Sequence, residues 1–142
     1  MKKKFIDLYM DWAVRCAKLS HGKRLQVGAV IVKDDSVISY GYNGMPAGWD
    51  NNCEYVGESG QLVTRPEVLH AEMNSLMKLA KSSSSGDQSS IFVTHSPCLD
   101  CAKGIYQAGI SQVYFKEEYR DDSGIKFLQS SGVTVYKYND AI

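Results

Sequence analysis

Two short fragments constrain this chain more than any other feature: His70-Ala71-Glu72 and Pro97-Cys98-Leu99-Asp100-Cys101. Each stands where an apolar helical periodicity begins. Ala71, Met73, Leu76, Met77, Leu79 and Ala80 predict a helix over 70–81. Pro97 opens, and Gly109 closes, a second helix over 98–108. Between them Ile91-Phe92-Val93-Thr94 reads as a short strand. One imidazole and two thiols are metal-ligand types. A fold that uses them together must bring two helix starts to one point. Residues 98 and 101 lie three apart, so both sulfurs project from one face of a first turn. A helix N-terminus favours thiolates through its dipole and its unpaired N–H groups.

The remaining chain supplies a frame for such a meeting. Residues 4–19 put Phe5, Leu8, Tyr9, Trp12, Ala13, Cys16 and Leu19 on one helical stripe. Residues 26–33 form a nearly continuous apolar run, as in a strand buried on both faces. A turn at 34–36 leads to a returning strand over 37–42. Residues 43–69, punctuated by Gly44, Pro46, Gly48, Gly57, Gly60 and Pro66, read as a long irregular loop. A loop of that length is usually functional. Residues 82–90 are a serine-rich connector. Strands over 112–116 and 133–138 flank a short helix over 124–129. The order is helix, hairpin, helix, strand, helix, strand, helix, strand. It predicts an α/β fold with a partly parallel sheet and helices on its faces.

A length of 142 residues suits one domain, taken as 1–142. No apolar run approaches a membrane span, and the lysine-rich start has no signal core behind it, so a cytoplasmic protein with no membrane partner is expected. Lys plus Arg equals 16 and Asp plus Glu equals 16. That balance lacks the basic excess of a nucleic-acid binder and favours a small-molecule substrate.

Three protein ligands leave the fourth position of a zinc ion open to water, the arrangement of a catalytic site; a structural site wants four. Zinc lowers the pKa of bound water to about 7. Glu72, two residues from His70, is placed to move protons. The sequence H-x-E followed by P-C-x-x-C is the signature of zinc nucleobase deaminases. In that chemistry zinc hydroxide attacks C4 of cytosine, Glu72 shuttles the protons, and uracil and ammonia result. A lone C-x-x-C also suits a zinc knuckle or a redox pair. The redox reading leaves His70 and Glu72 without a role.

The chain resembles deoxycytidylate (dCMP) deaminases of the short bacterial and phage kind. The resemblance lies in Gln26-Val27-Gly28-Ala29-Val30-Ile31-Val32, Gly41-Tyr42-Asn43-Gly44-Met45-Pro46, His70-Ala71-Glu72-Met73-Asn74-Ser75, Ser96-Pro97-Cys98-Leu99-Asp100-Cys101-Ala102-Lys103 and Gln107-Ala108-Gly109-Ile110. It implies a cytidine-deaminase-like three-layer α/β fold, with a five-stranded mixed sheet and helices on both faces. It implies one catalytic Zn2+ per subunit on His70, Cys98 and Cys101, with Glu72 as acid and base. The implied reaction is hydrolytic deamination of dCMP to dUMP and ammonia, feeding thymidylate synthesis. A homo-oligomer, often a hexamer, is implied, as are dCTP and dTTP effectors with Mg2+. A phage-encoded member would work in the host cytoplasm. Two alternatives keep the fold: a bifunctional dCTP/dCMP deaminase, and a nucleic-acid deaminase of the tRNA adenosine type. Zero net charge and the Gly-Tyr-Asn-Gly-Met-Pro stretch weigh against the second. A third alternative, a non-catalytic zinc module, requires a fourth protein ligand and no use for Glu72.

Other residues carry two readings each. Asn43 holds the substrate sugar, as in similar deaminases, or serves a turn. Lys23, Arg24 and Arg120 are candidates for the 5′-phosphate, where a guanidinium fork fits best; each is otherwise a surface charge. Tyr119 closes over base or sugar, or simply packs. Ser96 and Pro97, beside Cys98, are placed at the substrate. Gly44, Met45 and Pro46 are expected at an effector. Met45, Pro46, Trp49 and Tyr55 are apolar for a free loop and should fold back or meet another subunit. Glu67 either orients a ligand or pairs with Arg65. Cys53 and His21 suggest a second metal site, but its four ligands are not evident. Cys16 is expected to be a buried core thiol and His95 a structural histidine.

Overall fold

A computed structural model describes residues 1–139. The expected single domain, 1–142, runs past these, and residues 140–142 lie outside the described part. The elements in order are α1 (Lys3–Ala17), β1 (Gly28–Lys33), β2 (Ser36–Tyr42), β3 (Glu54–Val56), β4 (Leu62–Thr64), α2 (Ala71–Ala80), β5 (Ser90–His95), α3 (Leu99–Gln107), β6 (Gln112–Glu117), α4 (Ser123–Ser130) and β7 (Thr134–Lys137). Five strands form one sheet in the order β2-β1-β5-β6-β7. β1 runs antiparallel to both β2 and β5, whereas β5, β6 and β7 are mutually parallel. The parallel pairs are joined through α3 and α4, as parallel neighbours must be joined by a crossover.

The strand period of two decides which helix each residue meets. Ala29, Ile31, Ile91, Val93, Val113 and Phe115 face one side and pack with Ala71, Leu76 and Leu79 of α2, Ala102 and Ile105 of α3, and Leu128 of α4. Val30, Val32, Phe92 and Tyr114 face the other side and pack under Tyr9, Met10, Ala13 and Cys16 of α1. Both faces are covered, which explains the unbroken apolar run of β1. The expected three layers are present: one helix, the sheet, three helices.

The buried face of α1 departs from the stripe read in the sequence. Tyr9, Met10, Ala13, Cys16 and Ala17 are buried, while Leu8, Trp12 and Leu19 are 52%, 43% and 49% exposed. The cause is a close approach of backbones. A Cβ on Gly28 would stand 2.0 Å from the Ala13 carbonyl oxygen and 2.5 Å from the Ala17 nitrogen. Ala13 and Ala17 therefore lie against β1, and Leu8 and Trp12 turn outward.

The turn between β1 and β2 places Asp34 and Asp35 at φ 51° and 59°. Two left-handed residues form the turn whose twist matches a hairpin, and Asp tolerates that conformation better than most residues. The long loop is less irregular than expected, because β3 and β4 form a small antiparallel ribbon within it. Three-residue strands joined around Gly57 and Gly60 leave no run long enough to show alternation. Among the described residues no helix is long and apolar enough to cross a membrane.

Phe92 is fully buried on the central strand. It stacks on Tyr114 at 4.5 Å between ring centroids and meets Tyr9 at 5.4 Å. Phe92→Ala should cost about 3–5 kcal/mol of unfolding free energy, read from urea denaturation of the zinc-loaded protein. A loss below 1 kcal/mol would show that this face collapses around the gap.

Candidate metal centre and adjoining pocket

Strand β5 ends at His95, and the chain turns through Ser96 and Pro97 into α3. That turn is packed from outside by α4, where a Cβ on Gly124 would lie 2.1 Å from the Pro97 carbonyl oxygen. Cys98 is the N-cap of α3 and Cys101 lies in its first turn. His70 is the N-cap of α2. Neither N-cap side chain caps its own helix. Both point to a shared spot instead. His70 Nδ1 lies 3.6 Å from Cys98 Sγ and 3.4 Å from Cys101 Sγ. These three form the one group among the described residues whose donor atoms converge as metal ligands.

The spacing fits zinc. Tetrahedral bonds of roughly 2.3 Å to sulfur and 2.0 Å to nitrogen place S and N about 3.5 Å apart. The donor set, one imidazole and two thiols, also suits zinc, and three ligands leave one position open. Hydrogen bonds from Cys101 and His70 hold the Cys98 thiol down at about 4. The His70 imidazole is pushed up, first by its bond to Cys98. Cys101 is pushed up by the neighbouring Cys98 sulfur and by burial. The pair thus offers one thiolate readily and holds a proton that a dication would displace.

Glu72 follows on the inner face of α2 and is 4% exposed. Burial raises its carboxyl to about 7, against the opposing pull of its own backbone N–H and of His70. It lines a pocket with His70, Ala71, Asn43, Glu54 and Tyr119. Leu25, Val27 and Val68 supply the apolar part of the wall.

The other expected site residues fall at different distances from this pocket. Asn43 reaches it, and its amide also braces the loop before β1: Oδ1 accepts from Val27 N–H at 2.8 Å, and Nδ2 donates to the Leu25 carbonyl at 2.8 Å. Tyr119 lines the pocket, and its N–H donates to Ser96 Oγ at 2.8 Å. Ser96 is buried, so it holds Tyr119 in place, and Pro97 is buried in the turn. Arg24 donates to Thr64 Oγ1 at 3.0 Å, and its charge acts on the Tyr119 phenol, which burial raises and Arg24 lowers. Lys23, Arg24 and Arg120 are all exposed, and none is part of the pocket wall. Gly44, Met45 and Pro46 line a separate cleft with His21 and Trp49. Cys53 touches both clefts. Glu67 lies 3.8 Å from Arg65, which also meets Asp50 at 3.1 Å, so Glu67 takes the ion-pair reading. Cys16 is buried in the core, and its thiol is raised by burial. The ring of His95 meets the Thr94 hydroxyl at 2.9 Å. Glu54 is the charged pocket residue with no place in the sequence reading, and Leu25, Thr64 and Val68 of the wall likewise went unmarked; nothing distinguished them in stretches without visible periodicity.

Residues 3–117 match the family described as the cytidine and deoxycytidylate deaminase zinc-binding region. The chain belongs to this family. It is 39% identical over 117 residues to ComE operon protein 2 of Bacillus subtilis, covering 79% of this chain and 59% of that protein, so it spans about three fifths of that relative's length. It is 32% identical over 150 residues to the deoxycytidylate deaminase of enterobacteria phage T4, covering 78% of each. Among solved structures it resembles the dCMP deaminase of cyanophage S-TIM5 in complex with dCMP and dUMP. The TM-score there is 0.91 at 48% identity, covering 97% of this chain and 99% of that one. The family fits the donor set, and the structural likeness fits the mixed five-stranded sheet.

Metal analysis of the purified protein should find one zinc per chain. Cys53→Ser should keep that ratio, and Cys101→Ser should reduce it far below one. Two zinc ions per chain, or loss of metal in Cys53→Ser, would overturn the three-ligand assignment.

Proposed function

We propose that this chain hydrolyses dCMP to dUMP and ammonia, with His70, Cys98 and Cys101 holding one zinc and Glu72 as proton carrier. The observation that carries this reading is the convergence of three zinc-type donors beside a buried carboxyl whose pKa stands at about 7. The dCMP and dUMP bound to the cyanophage relative support the choice of nucleotide.

When bound, zinc supplies the Lewis acidity that makes water a nucleophile at neutral pH. The chain's own residues handle the protons. Glu72 takes one proton from the attacking water and delivers it to N3 of the cytosine ring. It passes the second to the 4-amino nitrogen as the C4–N bond breaks, so that ammonia leaves and a carbonyl remains. A carboxyl titrating near neutrality is suited to both directions of transfer. Its burial among Leu25, Val27 and Val68 keeps bulk water from competing for the same protons. Tyr119 forms part of the wall over the substrate, held through Ser96.

Arg24 is the preferred partner for the 5′-phosphate. Like Arg120 and Lys23 it is not itself part of the pocket wall, but its guanidinium donates to Thr64 Oγ1 and its charge acts on the Tyr119 phenol, and both of those residues line the pocket. Regulation by dCTP or dTTP with Mg2+ is placed at Gly44, Met45 and Pro46. Gly44 and Leu69 exchange backbone hydrogen bonds of 3.1 and 2.8 Å, and Leu69 is bonded directly to His70. A ligand in the neighbouring cleft therefore pulls on the residue that precedes a metal ligand. A homo-oligomer, as a hexamer, would cover Leu8, Trp12, Tyr40 and Met77, all exposed here. One deaminase domain in a reducing cytoplasm suits four cysteines that are all free.

Glu72→Gln should keep one zinc per chain and lower dCMP turnover about 100- to 10,000-fold, followed by loss of cytosine absorbance. Full turnover in that variant would remove Glu72 from the chemistry. Arg24→Ala should reduce kcat/KM for dCMP by roughly 10- to 100-fold while leaving deoxycytidine nearly unchanged. An equal loss on both substrates would refute a phosphate contact.

A further inference from the structure

The pocket holds two buried carboxyl side chains. Glu72 has its role beside the metal ligands. Glu54, at the start of β3, is 5% exposed and lines the same pocket. A buried acid in a binding cleft requires donors. One oxygen has them: Oε2 accepts from Lys23 N–H at 2.8 Å and from Arg24 N–H at 3.1 Å. The other, Oε1, accepts no hydrogen bond from the protein, yet among the described residues no sealed side-chain oxygen lacks a partner. That oxygen therefore opens to the cleft. The position is also fixed. Arg65 N–H donates to the Cys53 carbonyl at 2.8 Å, and Glu54 pairs in register with Thr64, whose hydroxyl holds Arg24.

The substrate chemistry narrows what this oxygen can meet. A cytosine deoxynucleotide carries two hydrogen-bond donors, the 4-amino group and the 3′-hydroxyl. The amino group must sit at the metal centre, where it leaves. The phosphate is an anion and is repelled from a carboxylate. We infer that Glu54 is a substrate-recognition residue whose Oε1 accepts the 3′-hydroxyl of the sugar while Oε2 positions the Arg24 loop. The inference rests on the dCMP reading above and adds the group that reads the sugar. It orients the nucleotide with its base toward His70, its sugar against β3, and its phosphate toward Arg24.

The test compares kcat/KM for dCMP and for 2′,3′-dideoxycytidine 5′-monophosphate on zinc-loaded protein. The wild type should prefer dCMP by roughly 10- to 100-fold, the range for a hydrogen bond to a charged group. Glu54→Gln should lower kcat/KM for dCMP several-fold more than for the dideoxy substrate, and so shrink that preference. Equal use of both nucleotides by the wild type would overturn the inference without any variant. Equal loss on both substrates in Glu54→Gln would reduce Glu54 to bracing the loop. Failure of the wild type to turn over dCMP at all would strike the deamination reading itself, a result distinguishable from either.

Discussion

Three donor atoms must meet within a few ångströms, and the chain delivers them from two helix starts that are 28 residues apart in sequence. The fold is arranged around that requirement. Strand β5 occupies the centre of the sheet, between antiparallel β1 and parallel β6. Its C-terminal end is where α3 begins, and α2 packs across the same face. Because α2 and α3 share one face of the sheet, their N-termini open toward the same point. Both N-cap positions have extended backbone angles, φ −70° with ψ 155° at His70 and φ −70° with ψ 170° at Cys98. An N-cap side chain ordinarily bonds its own helix. Here each is diverted, and the capping stabilisation, typically about 1 kcal/mol, is forgone at both helices. Metal binding then contributes stability where the caps do not.

The same geometry sets the electrostatics. Helix N-termini carry partial positive charge, which favours the Cys98 thiolate. Glu72 sits at the N-terminus of α2 and would be favoured as an anion by that dipole. Burial wins, and its carboxyl rises to about 7. The distinction follows from position. Cys98 is only half-buried and has hydrogen-bond partners in Cys101 and His70, whereas Glu72 is enclosed by the apolar wall. Two acidic groups at neighbouring helix starts thus acquire different protonation behaviour.

Much of this was legible in the sequence, for identifiable reasons. The metal ligands and Glu72 are local motifs on strongly periodic helices, so both position and chemistry could be read together. β1 was legible because burial on two faces writes a continuous apolar run. Two things were not legible. The rotation of α1 is set by its backbone contact with Gly28, a tertiary constraint that favours Ala13 and Ala17 over the bulkier Leu8 and Trp12. The β3–β4 ribbon is too short for a period to show, and with it went Glu54, whose burial depends on the loop carrying Lys23 and Arg24 folding over it. Asn43 lay between these cases: its motif marked it, yet its bracing of Leu25 and Val27 belongs to the folded loop.

The division between legible and hidden residues follows the work each performs. Residues that hold a metal or move a proton need fixed chemical types at fixed helical offsets, so they leave a pattern. Residues that shape the pocket act through the backbone of other segments. Glu54 binds two N–H groups, Asn43 one N–H and one carbonyl, and Ser96 one N–H. Any residue type can present those backbone groups, so the partner sequence carries no trace of the contact. The three anchors converge on the loop before β1 and the segment after β6, the two stretches that bring Leu25, Val27 and Tyr119 to the pocket. Reaction type is therefore written in the local motif, and substrate fit in contacts that exist only once the sheet has brought these loops together.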